Sequence, residues 1–199
     1  METNQTPSPI RVCVIDLGTN SFHALIVDVQ VNGSFELLDN IKELVHLGEG
    51  GLAKHKLSVP AMDRGLDALR RIQLLATGWG VEDYMAFATS AIREASNGGA
   101  FIQRVSEEVG IRIRTISGGT EASLIFEGVR RSVEMSSPTF VMDIGGGSTE
   151  LMIGTGDGME LGISVKIGAA RMTEAFVSSD PLSKSDKKAL KKHYRKTTK

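Results

Sequence analysis

An eight-residue pattern occurs twice in this chain. Val14-Ile15-Asp16-Leu17-Gly18-Thr19-Asn20-Ser21 is echoed 127 residues later by Val141-Met142-Asp143-Ile144-Gly145-Gly146-Gly147-Ser148. Both copies run apolar, apolar, Asp, apolar, Gly, two small or polar residues, Ser. In each, a short apolar segment ends in an acid and turns sharply, and an extended segment follows: Phe22 to Gln30 after the first copy, Thr149 to Gly154 after the second. A period this long predicts two lobes of one topology rather than a short-period solenoid.

The first lobe reads as α/β. Ile10 to Asp16 is a buried strand, Phe22 to Gln30 a second, and Asn32-Gly33 a hairpin signal leading into a long or broken third strand, Ser34 to Leu47. Ser58 is a plausible N-cap with Pro60 in the first turn. Met62, Leu66, Leu69, Ile72 and Leu75 then recur at helical spacing as far as Gly78. A strand over Tyr84–Thr89, short helices over Ala91–Ala95 and Gly99–Val109, and a strand over Ile111–Ile116 follow. Ser117-Gly118-Gly119 opens a helix to about Ser132, with Leu124, Ile125 and Val129 on its apolar side. Glu134 to Pro138 is a linker. The order is βββαβαβα. After Pro138 a strand, a second strand, a third over Glu160–Lys166 and a helix from about Ala169 repeat its start. About sixty residues remain there, against about 120 in the first copy. The expectation is therefore a lobe at 1–133 and a truncated second lobe at 138–199, with an open hydrophobic edge unless a partner chain covers it.

Composition narrows the function. No apolar run approaches the length of a spanning helix, and Met1 to Pro9 is too polar for a secretory leader. A single cysteine, Cys13, excludes a disulfide framework and a multi-cysteine zinc site, so a cytoplasmic setting is expected, with no membrane partner. Glycine is enriched, 22 of 199 residues, and the surplus gathers beside the acids of the repeat. Net charge is −1, but Lys184 to Lys199 carries eight cationic side chains against one acid, Asp186. Such a tail either engages a polyanion or forms a solvated helix face.

The repeated turns carry the chemistry. A strand that ends in Asp and turns through glycine exposes backbone N–H groups able to wrap a phosphate. Thr19, Asn20, Ser21, Ser148 and Thr149 add side-chain donors, and Asp16 and Asp143 can bind magnesium beside the phosphates. Neither a P-loop nor a dinucleotide fingerprint is present. Glu121, in the first turn of its helix, is either a partner of the helix dipole or a general base aimed at water near a phosphate. Glu150 is a metal or water ligand or an exposed strand acid. Arg93 is a phosphate clamp or a solvated helix-start arginine. The histidines show no metal spacing.

Four ordered segments, VIDLGTNSFH (14–23), ATSAIREASN (88–97), ISGGTEASLIFEGV (116–129) and VMDIGGGSTEL (141–151), resemble the exopolyphosphatase/guanosine pentaphosphate phosphohydrolase family. That resemblance implies ribonuclease-H-like lobes of the actin-like ATPase superfamily with an active site in the cleft between them. It implies Glu121 as catalytic base and Arg93 as a phosphate-binding arginine. Asp143 and Glu150 are then groups that hold magnesium and orient water. Gly145, Gly146, Gly147 and Ser148 form one phosphate loop, and Asp16, Gly18, Thr19, Asn20 and Ser21 the other. Where the family often has two adjacent acids, this chain has Thr120-Glu121. The expected activity is hydrolysis of the terminal phosphoanhydride of inorganic polyphosphate, or of guanosine pentaphosphate at its 5′ end, by a possible homodimer with no nucleic-acid partner. A non-hydrolysing polyphosphate or guanosine tetraphosphate binding module is the alternative. An ATP-dependent kinase is disfavoured, because fold likeness alone does not establish function.

Overall fold

Strand β1 (Ile10–Leu17) is the axis of the first sheet. Its alternate residues Cys13, Ile15 and Leu17 are fully buried, whereas Asp16 turns to the other face and stays open. β1 pairs antiparallel with β2 (Ser21–Val29) and parallel with β4 (Asp83–Ala88). With β3 (Phe35–Leu44) and β5 (Ile113–Thr115) the order is β3-β2-β1-β4-β5. The long third strand of the sequence reading is one strand whose pairing with β2 slips between Ile26 and Val27, and β5 is shorter than Ile111–Ile116. The computed structural model describes residues 8–197. The reading of Met1–Pro9 as too polar for a leader therefore falls, as far as Pro7, outside the described residues.

Helix α1 (Val59–Gly78) begins where expected: the Ser58 hydroxyl accepts the Ala61 N–H, and Pro60 sits in the first turn. Leu66, Leu69 and Ile72 pack with Phe101 and Val105 of α3 (Gly98–Glu108) over the buried side of the sheet. Leu75 is exposed; Ala76 takes the buried place one residue on. Between β4 and α3 lies the short helix α2 (Ser90–Glu94).

Helix α4 (Gly118–Ser132) follows β5 in sequence but packs elsewhere. Its Ala122 and Phe126 join Met135 and Met152 in a separate small core, flanked by Ile125, Val129, Val141 and Met159. This core lies on a second, antiparallel sheet, β6 (Thr139–Ile144), β7 (Thr149–Thr155) and β8 (Gly158–Val165), in the order β6-β7-β8. β6 and β7 thus repeat the hairpin of β1 and β2. Leu124, expected on the apolar side of α4, is exposed, because it lies two residues from both Ala122 and Phe126 and so on the far side of the helix. The opposite face of the second sheet presents Phe140, Met142, Ile144, Leu161 and Ile163 to solvent. Helices α5 (Ala169–Phe176) and α6 (Lys184–Thr197) complete the described chain. No helix among the described residues is long and apolar enough to cross a membrane.

If Phe126 anchors α4 to the second sheet, Phe126→Ala should cost about 3–5 kcal/mol of stability. Leu124→Ala on the same helix should change it by less than about 0.5 kcal/mol. Urea unfolding of the two variants checks the contrast.

Candidate active site

The two Asp–Gly turns close in the same way. The Gly18 N–H donates to the Ser21 carbonyl at 3.1 Å, and the Gly145 N–H to the Ser148 carbonyl at 3.0 Å. Folding brings the turns against each other. A Cβ on Gly146 would stand 3.0 Å from Cβ of Thr19, and one on Gly147 would stand 2.6 Å from Oγ1 of Thr19 and 2.5 Å from Oγ of Ser90. No side chain fits at Gly147, so the glycine is what permits the approach. Thr19 is buried here, and its Oγ1 is the one buried side-chain polar atom without a hydrogen-bond partner among the described residues. An orphan hydroxyl at the meeting point of two turns is a donor in want of a ligand.

A cleft of about 580 Å³ opens between the turns. It is walled by Asp16, Gly18, Thr19, Asn20, Ser21 and His23 on one side and by Asp143, Ile144, Gly145 and Gly146 on the other, with Ala169, Ala170 and Thr173 of α5 closing it. A neighbouring cavity of about 380 Å³ shares Thr19, Asn20, Ala170 and Thr173 and adds His46, Glu49 and Glu174. Among the described residues no backbone acceptor takes the N–H of Thr19, Asn20, Gly146 or Gly147. Those donors are free for anionic oxygens, whereas the loop's carbonyls are spent: Gly145 and Gly146 accept from Ala169 and Arg171 at the start of α5. Gly147, Ser148, Glu150, Arg93 and Glu121 do not line the cleft. Glu121 and Glu150 are nonetheless near enough to Asp143 to feel its charge.

Four carboxylates share this region. Asp16 is pushed up to about 6, first by desolvation and then by Asp143 and Glu150. Glu121 is also raised, chiefly by desolvation; Arg93 opposes the shift, and Asp16 and Asp143 add to it. Glu150 is almost wholly buried and accepts a 2.6 Å hydrogen bond from Ser164. Its carboxyl is raised by burial, with Glu121 and Asp143 adding and Ser164 and Ser148 opposing. Asp143 lies opposite Glu150 in the β6–β7 register, as Asp16 lies opposite His23 in β1–β2. Arg93 Nη1 donates to Glu121 Oε2 at 2.8 Å and to the Ile116 carbonyl at 3.0 Å, so in this structure it is held by the glutamate.

The donor set suits a hard cation. No three or more His, Cys, Asp or Glu residues among those described are gathered tightly enough to hold a metal alone. Two open carboxylates, Asp16 and Asp143, beside a phosphate site are nonetheless what magnesium needs, since it takes one or two carboxylates and fills its remaining positions with water and phosphate oxygens. Cys13 offers no nucleophile: it is buried, and desolvation pushes its thiol up to about 11.

Several residues the sequence reading left without a role support the turns. His46 Nδ1 pairs with Asn20 Oδ1 at 2.6 Å, and His23 Nε2 with Ser21 Oγ at 3.0 Å. Arg171 donates through Nε to the Gly147 carbonyl at 2.7 Å and through Nη2 to Glu94 at 3.1 Å. Glu94 also receives Lys166 at 3.0 Å and the Ser90 hydroxyl at 2.9 Å. Burial works against ionising Glu94, but Lys166, Ser90 and Arg171 outweigh it and hold the carboxyl below its usual range. The only local signal was that Glu94 sits within the ATSAIREASN segment. Arg171 had none, because its partner is 77 residues away.

The profile of the Ppx/GppA phosphatase family matches residues 25–199. The chain belongs to this family. Three of the four resembling segments fall inside the match; the first turn lies just before it. The chain is 34% identical over 173 residues to Exopolyphosphatase 1 of Mycobacterium leprae, covering 86% of this chain and 51% of that protein. It superposes on the crystal structure of an exopolyphosphatase from Cytophaga hutchinsonii with a TM-score of 0.89 and 38% identity, over 94% of this chain and 60% of that one. A Ppx/GppA family member from Aquifex aeolicus gives a TM-score of 0.71 at 28% identity, over 94% of this chain and 61% of that one. The chain spans about half the length of the curated relatives it matches. The α/β architecture is the ribonuclease-H-like, actin-like ATPase fold that the motifs implied.

The raised carboxyls have a consequence for stability. A carboxyl that titrates at about 6 when folded, against the ordinary value near 4, binds its proton more tightly in the folded state. Its stabilisation is complete below the unfolded value and is lost as pH rises through about 6. Asp16→Asn should therefore raise the melting temperature at pH 7.5 by on the order of a few degrees. The gain should vanish below about pH 4. Thermal melts of wild type and variant across that range test it.

Proposed function

We propose that this chain forms the catalytic core of an exopolyphosphatase, a hydrolase that removes the terminal phosphate of inorganic polyphosphate. The observation that carries the reading is the paired set of unspent backbone donors facing one cleft beside desolvated carboxylates. Relatives named exopolyphosphatase point to the substrate. A lobe of residues 1–133 and a second of 138–199 would form the two sides of the cleft, with α4 first-lobe in sequence and second-lobe in packing. The single buried cysteine fits action in the reducing cytoplasm.

The reaction follows from the residues. The terminal phosphate lies between the turns, its oxygens bound by the N–H groups of Thr19 and Asn20 on one side and of Gly146 on the other. The hydroxyl of Ser21 and the orphan Oγ1 of Thr19 supply further donors. Glu121 has one carboxylate oxygen on Arg93 and keeps Oε1 for a water. Water attacks the terminal phosphorus in line, its proton passes to Glu121, and the bond from that phosphorus to the bridging oxygen breaks. Inorganic phosphate and a chain one unit shorter are the products. Asp16 and Asp143 are the groups that would hold magnesium, with Glu150 opposite Asp143 in the β6–β7 register; when bound, the ion would neutralise charge on the transferred phosphoryl group. Phosphoryl transfer depends mainly on such positioning and electrostatics. Burial of Glu121 raises its basicity, and Arg93 keeps it ionised and aimed.

Glu121→Gln should lower phosphate release from long-chain polyphosphate by about 10²–10⁴-fold while leaving chain binding intact. Turnover near wild type in that variant overturns the assignment of Glu121. Guanosine pentaphosphate assayed in parallel decides the substrate: preferential release from it would replace polyphosphate with the guanosine compound.

A further inference from the structure

Arg171, the third residue of α5, bonds to the triple-glycine turn twice. Its backbone N–H donates to the Gly146 carbonyl at 3.0 Å and its Nε to the Gly147 carbonyl at 2.7 Å, while the Ala169 N–H donates to the Gly145 carbonyl at 2.8 Å. The cap of α5, Gly168, has no side chain to offer, so the carbonyls of the turn satisfy donors that a helix start leaves open. All three carbonyls are thus drawn to the start of α5. A trans peptide points its N–H opposite to its C=O, so the same bonds turn the Gly146 and Gly147 N–H groups away from the helix. Glycine permits other orientations at little steric cost; the captured carbonyls select this one.

The guanidinium then reaches across to the first turn. Its Nη2 donates to Glu94 at 3.1 Å and to the Ser90 hydroxyl at 3.3 Å, both on α2, and Ser90 itself donates to Glu94 at 2.9 Å. Thr89, just before α2, donates to the Leu17 carbonyl through its N–H at 3.4 Å and its hydroxyl at 3.3 Å. Leu17 is where β1 enters the first turn. A line of contacts therefore joins one Asp–Gly turn to the other through Leu17, Thr89, α2, Glu94, Arg171 and Gly147. Arg171 and Glu94 are nearly buried in it, and Arg171 does not line the cleft.

We propose that Arg171 is a positioning residue of the phosphate site: it sets the spacing of the two turns and the orientation of the second, without touching the phosphate. The proposal rests on the exopolyphosphatase reading for the reaction it serves and on this line of contacts for its geometry. A phosphate gripped from both sides stays aligned with its attacking water only if the turns keep their distance, and a misplacement of about 1 Å can cost about a hundredfold in rate. Arginine suits the task because its rigid fork presents Nε and Nη2 in two fixed directions at once. A lysine ammonium on a flexible stem cannot hold Gly147 and Glu94 together in that geometry. Lys166 also pairs with Glu94, at 3.0 Å, but it is largely exposed and stands outside the line.

The test pairs turnover with a distance. Spin labels on Leu74→Cys in α1 and Asp157→Cys between β7 and β8, both exposed, report the separation of the two sheets whether or not the protein is active; Cys13 is buried and takes no label. Hydrolysis of long-chain polyphosphate by the unlabelled proteins gives kcat and KM. Two variants break the line: Arg171→Lys, and Glu94→Gln combined with Arg171→Met, which spares the fold a buried unpaired charge. In both, kcat should fall about 10- to 100-fold with KM within about threefold of wild type, and the distance distribution should broaden. Lys166→Gln, which removes an exposed charge from Glu94, should leave kcat within about twofold. Wild-type kcat in the two line-breaking variants overturns the proposal. A loss of turnover with unchanged distances overturns it too, because Arg171 would then act on the substrate directly, as does an equal loss in Lys166→Gln. Wild type that hydrolyses neither polyphosphate nor guanosine pentaphosphate would refute the exopolyphosphatase reading, and the distances alone would then decide the role of Arg171.

Discussion

Four carboxylates gathered around one region repel one another, three of them raised by burial, and much of the surrounding structure holds them there. Asp16 feels Asp143 and Glu150, Glu121 feels Asp16 and Asp143, and Glu150 feels Glu121 and Asp143. Burial strengthens that repulsion, because fewer water dipoles screen it. Arg93 on Glu121 and Ser164 on Glu150 relieve it in part. What remains is a standing demand for positive charge, which a divalent ion meets better than a proton does. The same arrangement would ordinarily repel a phosphate. In the function proposed for this chain, backbone N–H groups and a cation would resolve the conflict: the donors would bind the anion, and the ion would cancel the charge between anion and carboxylates. The site is thus built at a cost to stability that its ligands would repay.

Holding two loops in contact against that repulsion requires a fastening. Glu94 supplies it, gathering Arg171, Lys166 and Ser90 in a half-buried cluster whose Arg171 also caps the Gly147 carbonyl. Arg171 and Glu94 are both nearly buried in this pair. Such a pair contributes little against an apolar replacement but leaves an uncompensated charge if one partner is lost, at a cost of about 3–5 kcal/mol. Its value here is geometric: it fixes the start of α5 on the triple-glycine turn and both of them on α2.

Much of this was legible in the chain itself. The repeat at 127 residues announced two equivalent turns, and their hydrogen bonds are indeed equivalent. The N-cap at Ser58 was readable because it satisfies a donor within three residues, at Ala61; the structure shows Ser117 doing the same for Thr120 where the sequence read only the opening of a helix. Errors arose where burial is decided by a distant neighbour. Leu75 and Leu124 fit a helical period, yet Ala76 and Phe126 are buried in those helices, because the face a helix buries depends on what it packs against. Arg93 was read as a phosphate clamp or a solvated arginine, and sequence cannot show that Glu121, 28 residues on, pairs with its guanidinium. His46 and Arg171 had no local signature at all.

The sequence by itself determined the turns, the residue types within them and the cationic run of α6, because each depends on spacing along a few residues. Tertiary structure alone decided that the two turns meet, that Asp16 and Asp143 face one cleft, and that α4 leaves the first sheet for the second. It also decided which acids lose their water. Desolvation depends on every atom packed nearby, and those atoms come from segments far apart in the chain, so no local pattern can encode it.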